Sequence, residues 1–126
     1  MRNRIAVASL LVVLALGLSL LTLSCKKSNP AGPGTVADVT IGINGNLGAS
    51  SYSPATATIT VGQTVSWRNN DSMTHTSIGD GVPLWNTQNI APGATSTPIQ
   101  INTAGTHGYH CAIHPNTMTG TLQVNP

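Results

Sequence analysis

The segment Ile59-Thr60-Val61-Gly62-Gln63-Thr64-Val65-Ser66-Trp67 alternates apolar and polar side chains on both sides of a Gly-Gln turn. A period of two places successive side chains on opposite faces of a strand, and the short turn predicts a second strand directly after the first. We therefore predict an all-β fold, an antiparallel Greek-key β-sandwich or barrel. We expect its core to contain Trp67, Tyr109 and the other apolar positions that follow this period: Val39, Ile41, Ile43, Ile59, Val61, Val65, Ile99, Ile101, Leu122 and Val124.

The composition argues against helical folds and against carboxylate-based enzymes. The chain has 126 residues, which suits one domain, and only 6% of them are charged, against roughly 25% in ordinary soluble proteins. It has no glutamate, which amphipathic helices and coiled coils normally need on their polar faces. The only acidic side chains are Asp38, Asp71 and Asp80, so paired-carboxylate catalysis has little to work with. We expect no enzymatic activity.

The positive charge is confined to the N-terminal part of the sequence. The formal net charge is +2, but four of the five cations are Arg2, Arg4, Lys26 and Lys27. Residues 31–126 contain a single arginine and all three aspartates. Because a nucleic-acid-binding surface needs clustered lysine and arginine, we expect no nucleic-acid partner.

The first residues are typical of an export signal. A cationic segment, Met1–Arg4, precedes an unbroken run of apolar and small residues from Ile5 to Leu23. Leu21-Thr22-Leu23-Ser24-Cys25 resembles a bacterial lipobox, in which the cysteine is lipidated and becomes the mature N-terminus. An uncleaved membrane anchor and a cleaved soluble form remain alternatives. Each of the three would deliver the rest of the chain outside the cytoplasm, to the periplasm or the cell surface.

These features divide the chain into three parts. We predict a signal peptide at residues 1–24, a flexible tether at 25–35 that starts at lipidated Cys25, and a working domain at 36–126. The tether is rich in proline, glycine and serine and has no apolar period. If Cys25 carries a lipid, Cys111 has no disulfide partner, and a bound metal would protect that thiol from oxidation.

Four side chains, three of them at short spacings, supply the chemistry of a metal site. His75 follows the Asn69-Asn70-Asp71 turn, and Cys111, His114 and Met118 lie close together before the last strand. A thiolate, two imidazoles and a thioether are the ligand set of a type 1 copper centre. The thiolate donates strongly to Cu(II), while a weak thioether suits Cu(I). A site between the two preferences changes shape little when it gains or loses an electron.

The same residues resemble the cupredoxin family of small blue copper proteins, in particular its plastocyanin, amicyanin and pseudoazurin branch. The resemblance extends from Tyr52-Ser53-Pro54 through the strand–turn–strand segment ending at Asp71, and includes Ile90-Ala91-Pro92-Gly93 and Gly105–Pro115. It implies that His75, Cys111 and His114 are equatorial ligands of one copper ion and that Met118 is axial. The step from His114 to Met118 departs from the plastocyanin and amicyanin spacing and equals that of azurin-like loops.

The resemblance also implies a function. Cupredoxins carry single electrons between redox proteins outside the cytoplasm, so we expect a monomer whose partners are of the type of a c-type cytochrome or a copper or haem oxidase or reductase. Docking would be transient and centred on His114. An apolar patch around it would comprise Ile113, Pro115, Pro83–Leu84 and Ala91–Pro92. A copper carrier or buffer is the alternative function.

Other interpretations of these residues are weaker. Zinc sites rarely use methionine, and a nucleophilic Cys111 activated by His114 would lack an evident oxyanion-binding loop. A dinuclear copper site would need a second cysteine where Ala112 and Ile113 stand. We expect His110 to be a solvated surface residue and His107 a hydrogen-bonded structural one. We expect Met73 to fill space in the packing and Trp85 to cover the barrel or line its rim.

Overall fold

The computed structural model describes residues 36–81 and 85–126. Within these ranges the chain forms a short 3-10 helix at Gly48–Ser50 and eight strands. The strands are β1 Val39–Ile43, β2 Tyr52–Ser53, β3 Thr56–Thr60, β4 Thr64–Asn69, β5 Ile78–Gly79, β6 Ile99–Gln100, β7 Gly105–His110 and β8 Thr119–Asn125. The predicted signal peptide, Cys25, the tether at 25–35 and Pro83–Leu84 lie outside the described residues. No helix in the described part of the chain is long and apolar enough to cross a membrane.

The strands form two four-stranded sheets, with the orders β2-β1-β4-β6 and β3-β8-β7-β5. This arrangement confirms the predicted all-β sandwich. The sheets are mixed and not antiparallel throughout, because β1 pairs in parallel with β4 and β3 pairs in parallel with β8. Alternation along a strand fixes which face each side chain occupies, but it carries no information about the direction of the neighbouring strand.

The core lies between the sheets and contains most of the predicted residues. Trp67 and Tyr109 are both fully buried, as expected. So are the side chains of Ile41, Ile43, Ile59, Val65, Ile101, Leu122 and Val124, while Val39 and Ile99 are partly buried. The prediction that Val61 lies in the core was wrong, because β3 ends at Thr60 and the Val61 side chain is 39% exposed in the turn that follows.

Four aromatic rings contact one another in the core: Tyr52, Trp67, Trp85 and Tyr109. Trp85 stacks on Trp67 with ring centroids 5.8 Å apart, and its Nε1 donates a hydrogen bond to Ser77 Oγ at 3.1 Å. Trp85 therefore covers the barrel, which is one of the two predicted positions. Tyr109 contacts Trp67 and Trp85 at the same centroid distance.

The Tyr109 ring needs a glycine on the adjacent strand. Gly120 of β8 lies directly opposite Tyr109 in the register, and a Cβ atom on it would overlap the tyrosine ring. The glycine therefore lets the ring cross over the neighbouring strand. This packing connects the aromatic core to the two strands that bracket the cysteine-containing loop.

Candidate metal centre

Three of the four predicted ligand side chains converge at one end of the sandwich. One ligand atom from each of His75, Cys111 and His114 lies within 4.8 Å of the other two. His75 Nδ1 is 3.8 Å from Cys111 Sγ. His75 and Cys111 are fully buried, and His114 is partly exposed. The protein fold thus brings together residues 36 positions apart in the chain.

The position of His75 depends on the turn that follows β4. His75 and Ile90 exchange two backbone hydrogen bonds, of 3.2 and 2.8 Å. Asn69, fully buried at the end of β4, donates from Nδ2 to the carbonyl oxygens of Met73 at 2.6 Å and Ile90 at 2.9 Å. Its Oδ1 accepts a hydrogen bond from the backbone N–H of Asp71 at 2.9 Å. One buried amide side chain therefore fixes both segments that hold His75.

The ring of His75 is oriented by a carboxylate. His75 Nε2 lies 2.8 Å from Asp71 Oδ2, and Asp71 Oδ1 accepts a hydrogen bond from the Ser72 backbone N–H at 2.7 Å. These hydrogen bonds, first that from His75, hold the pKa of the Asp71 carboxyl below its usual value. An ionised carboxylate only accepts hydrogen bonds. The proton of the imidazole therefore lies on Nε2, and the lone pair of Nδ1 faces Cys111.

The other candidate ligands lie in the loop between β7 and β8, which is closed by its own backbone. Cys111 N–H donates to Met118 O at 3.0 Å, His114 N–H donates to Cys111 O at 3.1 Å, and Met118 N–H donates to His114 O at 2.9 Å. The Met118 side chain is fully buried. These bonds fix the spacing between the thiol, the imidazole and the methionine backbone.

Thr76, the residue after His75, contacts the thiol. Its backbone N–H lies 3.4 Å from Cys111 Sγ and its Oγ1 lies 3.8 Å away, while Oγ1 also accepts a hydrogen bond from the Ala112 N–H at 2.8 Å. Burial by itself raises the pKa of the Cys111 thiol. The hydrogen bond from Thr76 N–H, together with smaller contributions from the other groups around the sulfur, outweighs burial and lowers that pKa to about 6. The thiolate form that metals require is therefore favoured at neutral pH.

The arrangement fits a single soft metal ion. His114 Nδ1 is buried and has no hydrogen-bond partner among the described residues, although such atoms are normally satisfied. Zinc–nitrogen and zinc–sulfur bonds of about 2.0 and 2.3 Å give the scale for a first-row ion, and the 3.8 Å between His75 Nδ1 and Cys111 Sγ suits that scale. Two imidazoles, a thiolate and a nearby buried methionine are suited to one type 1 copper ion.

The other two histidines lie outside this cluster. His110 Nδ1 is 2.5 Å from Asp80 Oδ1, and their side chains are 29% and 51% exposed. His110 is thus at the surface as predicted, but it is paired with a carboxylate as well as solvated. His107 Nε2 lies 3.0 Å from the Thr103 carbonyl oxygen, in agreement with its predicted structural role. Met73 is 53% exposed, so the prediction that it fills space in the packing was wrong.

Sequence analysis missed three residues that support the cluster. Asn69 and Asp71 were interpreted only as parts of a turn, and Thr76 was given no role beside the cysteine. The Asp71-x-x-x-His75 spacing was the available signal, because a residue four positions away in a tight turn can reach an imidazole. Nothing in the sequence indicates that the Thr76 hydroxyl faces residues 111–112.

The fold and this cluster define the class of protein, and comparison with known proteins agrees. The profile of the cupredoxin-like domain family matches residues 12–124, and the chain belongs to this family. A plastocyanin from Scenedesmus fuscus is 34% identical over 98 residues, which cover 69% of this chain and 99% of the plastocyanin. Family membership and the His-Cys-His cluster together support a copper electron-transfer protein.

Solved structures show the same likeness. A purple cupredoxin from Nitrosopumilus maritimus superposes with a TM-score of 0.62 and 31% identity, covering 70% of this chain and all of the other. A copper-containing nitrite reductase from Thermus scotoductus SA-01 superposes with a TM-score of 0.60 and 28% identity, covering 70% of this chain but only 22% of that enzyme. The likeness to the reductase is therefore limited to a small part of its chain.

Proposed function

We propose that this protein is an extracytoplasmic type 1 copper protein that shuttles single electrons between redox partners. The observation that carries the proposal is the convergence of the His75, Cys111 and His114 ligand atoms within 4.8 Å of one another. In this proposal these three residues are the strong ligands, and Met118, buried at the end of the same loop, is the weak axial one. Bound copper would supply the one-electron Cu(II)/Cu(I) couple.

The protein's contribution is to restrict the motion of the ligands and to exclude water from them. His75, Cys111 and Met118 are all fully buried, which excludes water as a competing ligand. The backbone bonds of the β7–β8 loop and the Thr76 contacts limit how far the thiolate can move. Because these ligands cannot move, the site would provide the preferred geometry of neither Cu(II) nor Cu(I). This lowers the reorganisation energy of electron transfer.

Electrons would enter and leave at His114, the partly exposed ligand. Its neighbour Ile113 is 47% exposed, and Pro115, Ala91 and Pro92 are exposed as well. The domain from residue 36 onward has one arginine and three aspartates. With so few charges, we expect weak, transient docking of a redox protein, with little dependence on salt.

The first test is spectroscopy of the copper-loaded domain of residues 36–126. A type 1 site gives an intense thiolate-to-copper charge-transfer band and a narrow copper hyperfine splitting in electron paramagnetic resonance. A colourless Cu(II) protein without either feature would refute the assignment. Replacing Met118 with leucine should keep the colour and change the reduction potential, whereas complete loss of copper would contradict a weak axial role.

A copper carrier or buffer is the alternative function, and copper exchange distinguishes it. An electron carrier should retain Cu(I) in the presence of a competing chelator, in keeping with the burial of His75 and Cys111. Rapid and complete transfer of Cu(I) to the chelator would favour the carrier. Both functions are tested with Cu(I), so the experiment compares only how well the protein retains the ion.

Export and lipid anchoring complete the proposal. We infer from the sequence that residues 1–24 are removed, that Cys25 carries the lipid, and that residues 25–35 tether the domain 36–126 to a membrane. Mass spectrometry of the protein extracted from membranes tests this inference. A mass at Cys25 without added lipid would exclude lipidation, and a Cys25→Ala variant serves as the unlipidated reference.

A further inference from the structure

Asp71 uses each of its carboxylate oxygens for a different purpose. Oδ2 accepts the hydrogen bond from His75 Nε2 at 2.8 Å, and Oδ1 accepts the Ser72 backbone N–H at 2.7 Å. The His75 side chain is completely buried, whereas 25% of the Asp71 side chain is exposed. The carboxylate therefore connects a buried candidate ligand to the surface of the protein.

The surrounding residues hold Asp71 in this position. Its backbone N–H donates to Oδ1 of the fully buried Asn69 at 2.9 Å. On the other side, Gly45 has a positive φ of 103°, and a Cβ atom there would lie 3.0 Å from Asp71 Oδ2. A glycine at position 45 leaves room for the carboxylate against the backbone, so the contact with His75 does not depend on a freely moving side chain.

We propose that Asp71 is a positioning residue that sets both the affinity and the reduction potential of the copper site through His75. The carboxylate keeps the imidazole proton on Nε2, which leaves Nδ1, 3.8 Å from Cys111 Sγ, free to bind metal. Carboxylates that hydrogen-bond a metal-binding histidine raise its basicity as a ligand. The negative charge favours Cu(II) over Cu(I), so it lowers the potential. This inference rests on the proposed copper function.

The chain provides a matched control for this effect. Asp80 and His110 form a second carboxylate–imidazole pair, 2.5 Å apart, in which both side chains are more exposed than in the first pair. Asp80→Asn removes the same charge as Asp71→Asn from a pair whose histidine is outside the ligand cluster. A general effect of surface charge would appear in both variants, whereas an effect through His75 would appear only in the Asp71 variants.

The first experiment uses the metal-free protein, so that its result does not depend on the proposed copper function. Nuclear magnetic resonance of 15N-labelled histidine reports which ring nitrogen of His75 carries the proton. We expect Nε2–H in the unmodified protein and a mixture of tautomers in Asp71→Ala. A His75 that remains entirely in the Nε2–H form in folded Asp71→Ala would overturn the positioning role.

The second experiment measures copper binding and the reduction potential. We expect Asp71→Asn to raise the potential and to weaken Cu(II) binding more than Cu(I) binding, and Asp71→Ala to weaken Cu(II) binding about 10–100-fold. Asp80→Asn should leave the two affinities close to those of the unmodified protein. Equal shifts of potential in Asp71→Asn and Asp80→Asn would overturn the inference.

The two experiments separate this inference from the proposed function. If the unmodified protein bound no copper, the proposed function would fail, while the metal-free tautomer measurement would still decide whether Asp71 orients His75. Folding of each variant is checked by near-ultraviolet circular dichroism of Trp67 and Trp85, both of which are buried. Asp71→Asn retains a hydrogen-bond acceptor, so it provides a folded variant if Asp71→Ala proves unstable.

Discussion

The two aspartate–histidine pairs of this protein have the same chemistry and very different surroundings. Asp71 and His75 lie four residues apart in one turn, and the histidine is fully buried. Asp80 directly follows β5, His110 ends the paired strand β7, and both side chains are at least partly exposed to solvent. The surface pair is the shorter, at 2.5 Å against 2.8 Å. Hydrogen-bond length therefore does not identify the functional pair. The functional pair is identified by the burial of its histidine and by the presence of Cys111 and His114 beside that imidazole.

The largest difference between the pairs should appear when each histidine is removed. We expect His75→Ala to lose the charge-transfer band of the copper-loaded protein, since it removes one of three strong ligands. His110→Ala should keep both the band and bound copper. Absorption spectra and copper content of the two purified variants provide the measurement. Retention of the band in His75→Ala, or its loss in folded His110→Ala, would contradict the assigned roles.

The buried pair also depends on Asn69, whereas within the described residues no buried amide side chain hydrogen-bonds to the surface pair. Asn69→Ala would leave the carbonyl oxygens of Met73 and Ile90 and the N–H of Asp71 without their partner. An unsatisfied buried group costs about 1–3 kcal/mol when solvent cannot replace the partner. Only the bond to the Ile90 carbonyl is buried, and water can reach the other two groups, so we expect a loss of about 2–3 kcal/mol. Urea unfolding of the metal-free protein measures it.

Asn86→Ala is the matched control for this change. The Asn86 side chain accepts one hydrogen bond, from the Gln88 N–H at 2.8 Å, in an exposed segment. Exposed substitutions usually change stability by less than about 0.5 kcal/mol. Similar losses in the two variants would show that the Asn69 bonds carry no special weight.

The thiol that faces the buried pair predicts how copper binding depends on pH. The lowered Cys111 pKa of about 6 means that the folded thiol is largely ionised at neutral pH. Above pH 6 the thiol is already ionised, so its deprotonation should reduce the copper affinity very little. Below pH 6 a proton must leave before metal binds, so its contribution to affinity falls about tenfold, or about 1.4 kcal/mol, per pH unit. Titrations with a competing chelator from pH 4 to 9 measure this.

The lowered pKa of Cys111 also affects the stability of the metal-free protein. Because the folded pKa lies below the ordinary value of 9.0, the thiolate contributes stability that is fully present above about pH 9. That contribution disappears as the pH falls from 9 to about 6. A Cys111→Ser variant should lack this part of the pH dependence. A copper affinity that already declines below pH 9 would show that the thiol is not ionised as described.

The smallest effect is expected at the surface pair. Exposed ion pairs contribute about 0–1 kcal/mol and are screened by salt. We therefore expect Asp80→Asn to lower stability by less than about 1 kcal/mol, with a smaller difference at high salt. Thermal unfolding at two salt concentrations provides the measurement. A loss as large as that of Asn69→Ala would remove the contrast between the two pairs.

Much of this fold could be predicted from the sequence because strands leave a local signal. The period of two located β1, β3, β4 and β8 and correctly assigned Trp67 and Tyr109 to the core. The two-residue strands β2 and β5 are too short to show a period. The parallel pairings of β1 with β4 and β3 with β8 were also missed, because they depend on how the connections cross between the sheets.

The candidate site likewise contains residues that the sequence predicted and residues that it did not. Cys111, His114 and Met118 were predicted because their residue types and close spacing are informative without any knowledge of the fold. His75 was assigned by its place after a recognisable turn, and the structure brings it to Cys111 and His114. The supporting hydrogen bonds of Asn69, Asp71 and Thr76 were not predicted, since each depends on the exact path of a turn or on contact between distant segments.

The parallel pairing of β3 with β8 has a consequence for the rate of folding. Thr56 pairs with Thr121 and Thr60 with Asn125. The loop that closes when these two strands pair therefore contains about half of the sequence. Contacts between residues so far apart slow folding into the millisecond-to-second range. The strands that flank Cys111, His114 and Met118 pair with each other across a single loop, so this hairpin can form before β3 pairs with β8. Until the rest of the core packs against the hairpin, Cys111 would lack the burial that it has in the folded protein.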